Sequence, residues 1–346
     1  MACKHARTIA IAALLPLLLA SLAPQIAAQG LDVEAAWRER FKRPSAPPPS
    51  PPDNPLTPAK VALGASLFAD TRLSGPGNRA CASCHLPERG FADGRPRARA
   101  LSGAPLVRNT PSLWNLGWSP HFFWDGRAPS LEAQAQMPIL EAREMGGDWP
   151  TILRRLEADA GLAAQFQIAF PEEPAPSQAN VLKALASYVR SLVSLPTRFD
   201  RWVEGDANAL RPAEVRGFRL FIGKGGCVLC HVGWRFTDDR FHDIGLPGRD
   251  AGRGGLGSGR ASFVAFKTPS LRELVHTAPY MHDGSLPTLR AVIGHYAGGF
   301  VARPALAPHI DRKLRLTAGE RSDLEAFLRT LSSEKRGPAR ATRTGP

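Results

Sequence analysis

Cysteine is scarce in this chain, and several familiar sequence patterns are missing altogether. Five cysteines occur among 346 residues, and four of them stand in two copies of one short pattern. Cys3 lies ahead of both copies, in an N-terminal segment that we expect to be cleaved off. The mature chain then has no cysteine outside the two motifs. No segment shows the apolar and polar alternation of a β-strand, and the glycine-rich run 245–259 lacks the Gly-Lys-Ser/Thr of a phosphate-binding loop. These absences argue against a β fold and a phosphate-loop nucleotide site, and predict only a mobile loop at 245–259.

An apolar stretch near the N-terminus has the form of an export signal. Basic residues Lys4 and Arg7 precede an apolar run from Ile9 to Ala23, and small residues follow as far as Ala28. The run is too short and too interrupted by proline for a membrane span. We therefore expect residues 1–28 to be a signal peptide, the mature protein to lie in a periplasm, and no stable membrane span to remain.

The repeated cysteine pattern is Cys81-Ala82-Ser83-Cys84-His85 and Cys227-Val228-Leu229-Cys230-His231. Two thiols followed at once by a histidine are the attachment signature of a c-type haem, in which the histidine ligates the iron. A redox dithiol and a zinc site are the alternatives, since both use paired Cys-x-x-Cys motifs. A zinc site would not need a histidine directly after each second cysteine, so the pattern favours two covalent haem c groups.

The chain has a large excess of positively charged residues. The formal net charge is +13, and subtracting the two positive charges of the expected signal leaves +11 on the mature chain. Such a surface steers acidic partners toward the protein. For an exported chain we expect a protein partner and not nucleic acid.

A proline-rich segment is followed by an internal sequence repeat. Between Pro44 and Pro58 proline recurs so often that we expect an extended, helix-free linker. Beyond it, the Thr-Pro-Ser-Leu segment 110–113 recurs at 268–271 and Asp125-Gly126 recurs at 283–284, all at an offset of 158. This regularity predicts two duplicated haem domains. The expected divisions are the signal 1–28, the linker 29–58, the haem 1 domain 59–204, the haem 2 domain 205–334 and a flexible tail 335–346.

Helix signals stand between long loops. Ser177 can cap a helix that has apolar residues at a period near 3.6, Pro212 suits a first helical turn, and Thr317 with Glu320 forms a capping box. We therefore expect an all-α fold made of two cytochrome c-like domains with long loops.

The repeat places different side chains at matching positions near the two haems. Subtracting 158 from Tyr296 gives Pro138; a phenol can ligate ferric iron, whereas proline has no donor atom. We expect haem 2 to be closed by His231 and Tyr296, and haem 1 to be held by His85 with its far face open. His295, next to Tyr296, is the main rival ligand.

The segment from Trp124 to Glu144 can supply a pocket at the open haem. Gln134 can hold a bound peroxide by hydrogen bonding, and Glu144 can move a proton between its oxygens, as cleavage of the O-O bond requires. The simpler interpretation is a solvated amide and acid on a polar helix face, and spacing alone does not decide between the two.

Longer segments of the chain resemble one family. They are Arg108-Asn109-Thr110-Pro111-Ser112-Leu113, Phe123-Trp124-Asp125-Gly126-Arg127-Ala128, Leu131-Glu132-Ala133-Gln134, Phe266-Lys267-Thr268-Pro269-Ser270-Leu271-Arg272 and Ala278-Pro279-Tyr280-Met281-His282-Asp283-Gly284. Over roughly residues 56 to 332 the chain resembles the bacterial dihaem cytochrome c peroxidase and MauG superfamily.

This resemblance implies roles for individual residues. Trp124 matches the tryptophan that relays electrons between the haems, and Gln134 and Glu144 match the pocket of the peroxide-binding haem. Asn109, Thr277 and Pro279 match the positions that hold a calcium ion between the domains. Tyr296 matches the axial ligand of the second haem.

The axial position also divides the superfamily. The cytochrome c peroxidase branch has methionine there and a loop histidine that blocks haem 1, whereas MauG-like members have tyrosine and an open haem 1. Tyr296 and the missing loop histidine make this chain look MauG-like. The methylamine-pathway member, however, uses a tryptophan shortly before its second haem motif to oxidise its substrate protein, and Gly225 stands at that place here.

The sequence therefore predicts a periplasmic dihaem peroxidase. Hydrogen peroxide is its expected oxidant, and the electrons come from a small cytochrome c, a cupredoxin or a protein substrate whose side chains are modified. The competing class is a dihaem electron-transfer cytochrome without peroxidase activity, which requires two six-coordinate haems. A zinc or dithiol protein is the third class.

Overall fold

The computed structural model describes residues 33–257, 264–310 and 314–334. The expected signal 1–28, Cys3 and the expected tail 335–346 lie outside these residues. The chain divides into two compact units, Met1–Glu39 and Arg40–Pro346. In the first, Arg38 pairs with Glu34 across one helical turn. All predicted site residues lie in the second.

The described residues are mostly helix and loop. The helices are α1 (Val33–Arg40), α2 (Pro58–Phe68), α3 (Leu131–Leu140), α4 (Trp149–Glu157), α5 (Ala160–Ala169), α6 (Gln178–Ser191), α7 (Arg198–Val203), α8 (Pro212–Ile222), α9 (Leu289–Gly294) and α10 (Ala318–Arg329). A π-helical turn, His295–Gly299, continues α9. Within the residues described, no helix combines the length and apolarity that crossing a membrane requires.

The helix signals in the sequence are confirmed. The Ser177 hydroxyl accepts a hydrogen bond from the Asn180 backbone N–H and starts α6. Pro212 is the first residue of α8, and Thr317 and Glu320 close a capping box at the start of α10. These local caps satisfy backbone groups that the first helical turn leaves without partners.

Two helix crossings organise the second unit, and each has a glycine at its closest point. A Cβ on Gly64 of α2 would lie 2.0 Å from the Ala184 carbonyl oxygen of α6, and one on Gly217 of α8 would lie 2.0 Å from the Asp323 carbonyl oxygen of α10. Only a residue without a side chain lets these backbones approach so closely. Around the second crossing, phenylalanine rings pack against one another in the core at tilted and edge-to-face angles.

The sequence repeat has a counterpart in backbone conformation. The 3₁₀ turn Leu116–Trp118 recurs as Leu274–His276. The bridge between Phe122 and Ala128 recurs between Tyr280 and Leu286. Each pair differs by the same 158 positions as the sequence repeat, so the local backbone conformation repeats at these two places.

The proline-rich lead-in is helix-free from Pro44 to Thr57, as predicted, and Pro58 opens α2. It is nevertheless packed like a structural element. Phe41, just before it, is fully buried against Phe236 at 4.6 Å between ring centres. Asn54 is also fully buried and donates to the Glu132 carboxylate at 2.8 Å. The segment therefore lies against the first half of the repeat, and Phe41 just before it packs against the second, which proline content alone does not indicate.

The all-α expectation needs a correction. Phe241–His242 and Phe266–Lys267 form a two-stranded antiparallel pair, with Phe241 opposite Lys267. Strands of two residues are too short to show an alternating pattern. The glycine-rich run lies between the two strands, and its described part is held by specific contacts, among them an ion pair at 2.7 Å from Asp250 to Arg108.

Candidate functional site

Both cysteine motifs open into one cavity of about 860 Å³. The cavity is lined mainly by apolar and backbone groups of both halves of the chain. Its lining includes the predicted site residues Cys81, Cys84, His85, Asn109, Trp124, Gln134, Glu144, Cys227, Cys230, His231, Thr277, Pro279 and Tyr296. The fold thus brings together residues that lie more than 200 positions apart in sequence.

Each motif forms a 3₁₀ turn that directs its histidine inward. The turns are Cys81–Ser83 and Cys227–Leu229. His85 donates from Nδ1 to the Phe91 carbonyl oxygen at 2.7 Å, and His231 donates from Nδ1 to that of Phe236 at 2.8 Å. A histidine held at Nδ1 has a fixed ring orientation and offers Nε2 to a metal.

The electrostatics of the motifs fit iron ligation. Burial lowers the pKa of His85 and of His231, and the carbonyls of Phe91 and Phe236 only partly oppose it. Both rings are thus neutral near pH 7, which is the form that binds metal. The donors, their spacing and the shared cavity fit two covalently attached haems.

The alternatives of a dithiol and a zinc site fit poorly. Burial raises the pKa of Cys81 and of Cys227 to about 12, whereas a redox dithiol needs a lowered pKa at its attacking thiol. Within the described residues, the metal-ligating cluster of three groups that occurs is Cys230 with Asp238 and His242. This cluster includes one cysteine from one of the two motifs, so a metal site there does not account for the repeated Cys-x-x-Cys-His pattern.

Tyr296 lies in the π-helical turn His295–Gly299 and faces the cavity near the second motif. Burial raises the pKa of its phenol above the usual value, and the neighbouring sulfurs of Cys230 and Cys227 act in the same direction. π-helical turns are frequent at functional sites because they redirect one side chain. The phenol is therefore placed where an iron ligand is expected.

The neighbouring His295 has a different partner. It is 5% exposed and its Nε2 lies 2.8 Å from the Ile244 carbonyl oxygen. A backbone carbonyl thus engages one of its ring nitrogens, which favours Tyr296 over His295 as the axial group.

The corresponding place in the first half is helix α3. Pro138 lies in its last turn and lines the cavity, as does Gln134 one turn earlier. Glu144 follows the helix and also lines the cavity. Burial raises the pKa of Glu144, and Glu141 raises it further, while the arginines around it act against them. A carboxyl group with a raised pKa is suited to proton transfer.

Trp124 lies in the wall of the cavity between the two halves. Its indole N–H donates to the Asn109 carbonyl oxygen at 3.0 Å, and its own carbonyl accepts from Lys267 at 2.8 Å. Its ring meets that of His282 edge to face at 6.5 Å. The side chain is held by contacts from both halves.

The three predicted calcium positions are close to the same wall. Asn109 is 7% exposed and donates from its amide nitrogen to the Arg95 carbonyl oxygen at 2.7 Å, an orientation that leaves its amide oxygen to accept. Thr277 and Pro279 line the same cavity. Amide and backbone carbonyl oxygens are ligands that calcium accepts.

Comparison with known proteins agrees with this geometry. The family model for di-haem cytochrome c peroxidases matches residues 58–208. The methylamine utilization protein MauG of Methylorubrum extorquens is 49% identical over 303 residues, which cover 87% of this chain and 85% of that protein. The chain belongs to the dihaem cytochrome c peroxidase family.

Other family members extend the comparison. The cytochrome-c peroxidase IdrP1 of Denitromonas iodatirespirans is 36% identical, over 84% of this chain and 85% of its own length. The crystal structure of a MauG-like protein associated with microbial copper homeostasis superposes with a TM-score of 0.77 at 35% identity, covering 85% of this chain and 95% of that one. The chain is a peroxidase-type oxidoreductase of the MauG and cytochrome c peroxidase group, and its family implies two haem c groups.

Sequence reasoning missed several functional groups of this site. The carbonyls of Phe91 and Phe236, which fix the two histidines, belong to residues with φ of 59° and 56°, an uncommon conformation for phenylalanine. The one available signal was a phenylalanine five or six positions after each motif. Lys267, a buried cation, stands inside the family-like segment 266–272, and no sequence pattern marks it out from its neighbours.

Proposed function

We propose that this protein is a periplasmic dihaem c-type peroxidase of the MauG-like branch. It reduces hydrogen peroxide at the haem attached to Cys81 and Cys84 and withdraws the electrons from a protein partner. Each peroxide takes up two electrons and two protons and leaves as two waters. The observation that carries the proposal is one cavity in which Tyr296 stands by the second motif and Pro138, without a donor atom, occupies the matching place in the first half.

The architecture we propose is two cytochrome c-like domains, 59–204 and 205–334, related by duplication. The two glycine crossings and the matched turns at an offset of 158 support it. The haems supply the iron that binds the oxidant and the redox centres that store electrons. The protein's part is to hold each haem in place and to leave one face open.

The proton transfer belongs to Glu144 in this proposal. It takes the proton from the inner peroxide oxygen and delivers it to the outer one, while the Gln134 amide orients the bound oxidant. Burial, the main cause of the raised pKa of Glu144, also keeps bulk water away from this step. Trp124, between the halves, would relay electrons between the haems that the two motifs would hold.

The reductant we propose is a small cytochrome c, a cupredoxin or a protein substrate that becomes modified. The relatives' names support both kinds of partner, since they include methylamine utilization proteins and cytochrome c peroxidases. Export through residues 1–28 would place the enzyme beside such partners. N-terminal sequencing of the mature protein checks the cleavage after Ala28.

The central experiment is spectroscopy of the purified ferric holoprotein. We expect one high-spin and one low-spin ferric EPR signal, and an optical change on titration with hydrogen peroxide. Two low-spin signals and no response to peroxide would instead identify an electron-transfer cytochrome, the competing class.

Replacing Tyr296 tests the axial assignment. Tyr296→Phe should abolish the low-spin signal, because phenylalanine keeps the ring and lacks the ligating oxygen. Tyr188→Phe is the matched control, since this tyrosine packs on Phe68 with ring centres 5.0 Å apart. An unchanged low-spin signal in Tyr296→Phe would show that another group is the ligand.

A calcium ion held by Asn109 and the carbonyls of Thr277 and Pro279 completes the proposal. Metal analysis should find one calcium for each pair of haems. Treatment with a calcium chelator should change the haem EPR signals, and adding calcium back should restore them. If no calcium is bound and the spectra do not respond to the chelator, these residues do not form a calcium site.

A further inference from the structure

Lys267 is a buried cation in the wall of the haem cavity. Its side chain is 12% exposed. It sits in the strand Phe266–Lys267, and its backbone N–H donates to the Trp124 carbonyl oxygen at 2.8 Å. The backbone at this lysine is thus fixed in the wall of the cavity.

The charges around Lys267 do not balance. Its Nζ lies 3.6 Å from Oδ1 of Asp239, and the same carboxylate is already bound by Arg235. The next carboxylate, Asp238, is engaged by His242 at 2.7 Å. Within the part of the chain that the structure describes, no other ion pair of Lys267 or Arg235 occurs, so two cations share one carboxylate.

A buried excess charge is costly unless an anion compensates it. Burial lowers the pKa of Lys267, and nearby Arg235 lowers it as well, against the opposing effects of Asp239 and, more weakly, Asp238. A second carboxylate at this point would favour the charged form of the lysine. The lysine lines the cavity, so the missing anion has to come from the molecule that fills it.

The position of Lys267 favours the second haem. Two residues further on, the Pro269 backbone contacts His231, whose motif binds that haem. At an offset of 158, the counterpart of Lys267 in the first half is Asn109, which carries no charge. The cation is thus a feature of the second half alone.

We propose that Lys267 binds a propionate carboxylate of the haem attached to Cys227 and Cys230 and thereby raises its reduction potential. This rests on the proposed haem pair and not on peroxide chemistry. A fixed positive charge disfavours ferric iron, which carries one more positive charge than ferrous iron. Lys267 would act as a positioning residue that partly offsets the opposite effect of a tyrosine ligand.

The test compares Lys267→Gln with Lys267→Arg in the holoprotein, without peroxide. The reduced-to-oxidised ratio of each haem is measured by spectroelectrochemistry. At a fixed applied potential, Lys267→Gln should lower this ratio about tenfold for the second haem, equivalent to about 59 mV for one electron. The first haem should change less than about twofold, and Lys267→Arg should stay close to wild type because it keeps the charge.

Resonance Raman bands of the propionate groups give a second readout. The bands of the second haem should shift in Lys267→Gln and not in Lys267→Arg. Unchanged potentials and bands in Lys267→Gln would overturn the proposal, and so would an equal potential shift at both haems, since that indicates a general change of structure.

Asp239→Asn provides an independent variant if Lys267→Gln fails to take up haem. Removing this carboxylate takes away the one ion-pair partner that both cations share, so the reduced-to-oxidised ratio of the second haem should rise. A fall or no change would contradict the proposal. Haem content is measured on every variant, so a failure of the haem assignment itself is seen separately from a failure of the lysine contact.

Discussion

At the residue scale, the least visible groups of this site are two backbone carbonyls. Phe91 and Phe236 each accept a hydrogen bond from the Nδ1 of a motif histidine. Such a bond sets the tautomer and the orientation of a metal-binding imidazole. Because the accepting group is a backbone carbonyl, the identity of the side chain at these positions does not reveal this role. The backbone conformation determines whether the carbonyl can reach the histidine.

Glu144 carries the first prediction at this scale. Glu144→Gln should lower kcat for peroxide reduction about 10²-fold to 10⁴-fold, because the amide cannot exchange the proton that O-O cleavage requires. Steady-state assays of the holoprotein measure the loss, with EPR to confirm that both ferric signals are kept.

Glu141→Gln is the control for that variant. Glu141 is exposed, and its charge raises the pKa of Glu144. Glutamine keeps the oxygen that accepts from the Arg143 backbone N–H at 3.2 Å, so this replacement should leave kcat within a few-fold of wild type. Equal losses in the two variants would contradict a proton-transfer role for Glu144.

His242 carries a prediction on pH and stability. Its hydrogen bond to Asp238, followed by the Cys230 sulfur, raises its pKa to about 9. A pKa above the unfolded value of 6.5 means that the stabilisation is complete below pH 6.5 and is lost as the pH rises through about 9. Thioether formation removes the contribution of Cys230, so the expected loss in the holoprotein is on the order of 2 kcal/mol in the free energy of unfolding.

Urea denaturation at pH 6.5 and pH 9.5 checks this loss. His242→Gln lacks the titrating group, so its free energy of unfolding should change less between the two pH values than that of wild type. The same pH dependence in both proteins would show that other groups are responsible.

At the element scale, the two halves of the repeat differ in the path of one pair of equivalent helices. Helix α3 and helix α9 begin at equivalent positions, after Ser130 and Thr288 caps. The first continues as α-helix through Pro138, whereas the second turns into the π-helical segment that carries Tyr296. One change in helix geometry thus accompanies the change from a residue without a donor atom to one with a phenol.

The glycines at the helix crossings carry the prediction at this scale. Gly217→Ala should lower the free energy of unfolding by about 1–3 kcal/mol, since the added methyl group meets the Asp323 carbonyl oxygen at 2.0 Å and the helices must move apart. Thermal denaturation of the holoprotein measures this.

Gly319→Ala is the matched control, because Gly319 lies in the partner helix α10 and its Cβ would meet nothing closer than 4.0 Å. It should change the stability by less than about 0.5 kcal/mol. If the two substitutions had equal effects, the close crossing would not be the cause.

At the scale of the whole molecule, the charge bears on the choice of partner. The formal charge of +13 belongs to a chain whose proposed partner delivers electrons across a protein interface. We expect kcat/KM with a reduced acidic cytochrome c to fall about tenfold or more as salt rises from about 10 to about 150 mM, because screening weakens long-range attraction.

A small uncharged reductant serves as the control in the same assay. Its rate should stay nearly constant over the salt range, because no charge steers it. If the rate with the acidic cytochrome were equally insensitive to salt, the positive charge would have no part in recruiting the donor.

The sequence by itself determined the parts of this protein that depend on local chemistry. Two thiols and a histidine in five residues can be read as a haem motif without any fold, and the caps at Ser177 and Thr317 depend only on neighbouring backbone groups. The repeat at an offset of 158 was equally visible, because it is a comparison of letters.

Only the tertiary structure decided which distant groups meet. The cavity that both motifs share, and the Asp239 carboxylate that Lys267 and Arg235 share, join segments that are far apart along the chain. The carbonyls of Phe91 and Phe236 reach the histidines through an unusual backbone turn. Such contacts depend on packing and burial, which are sums over many residues, so no local pattern encodes them.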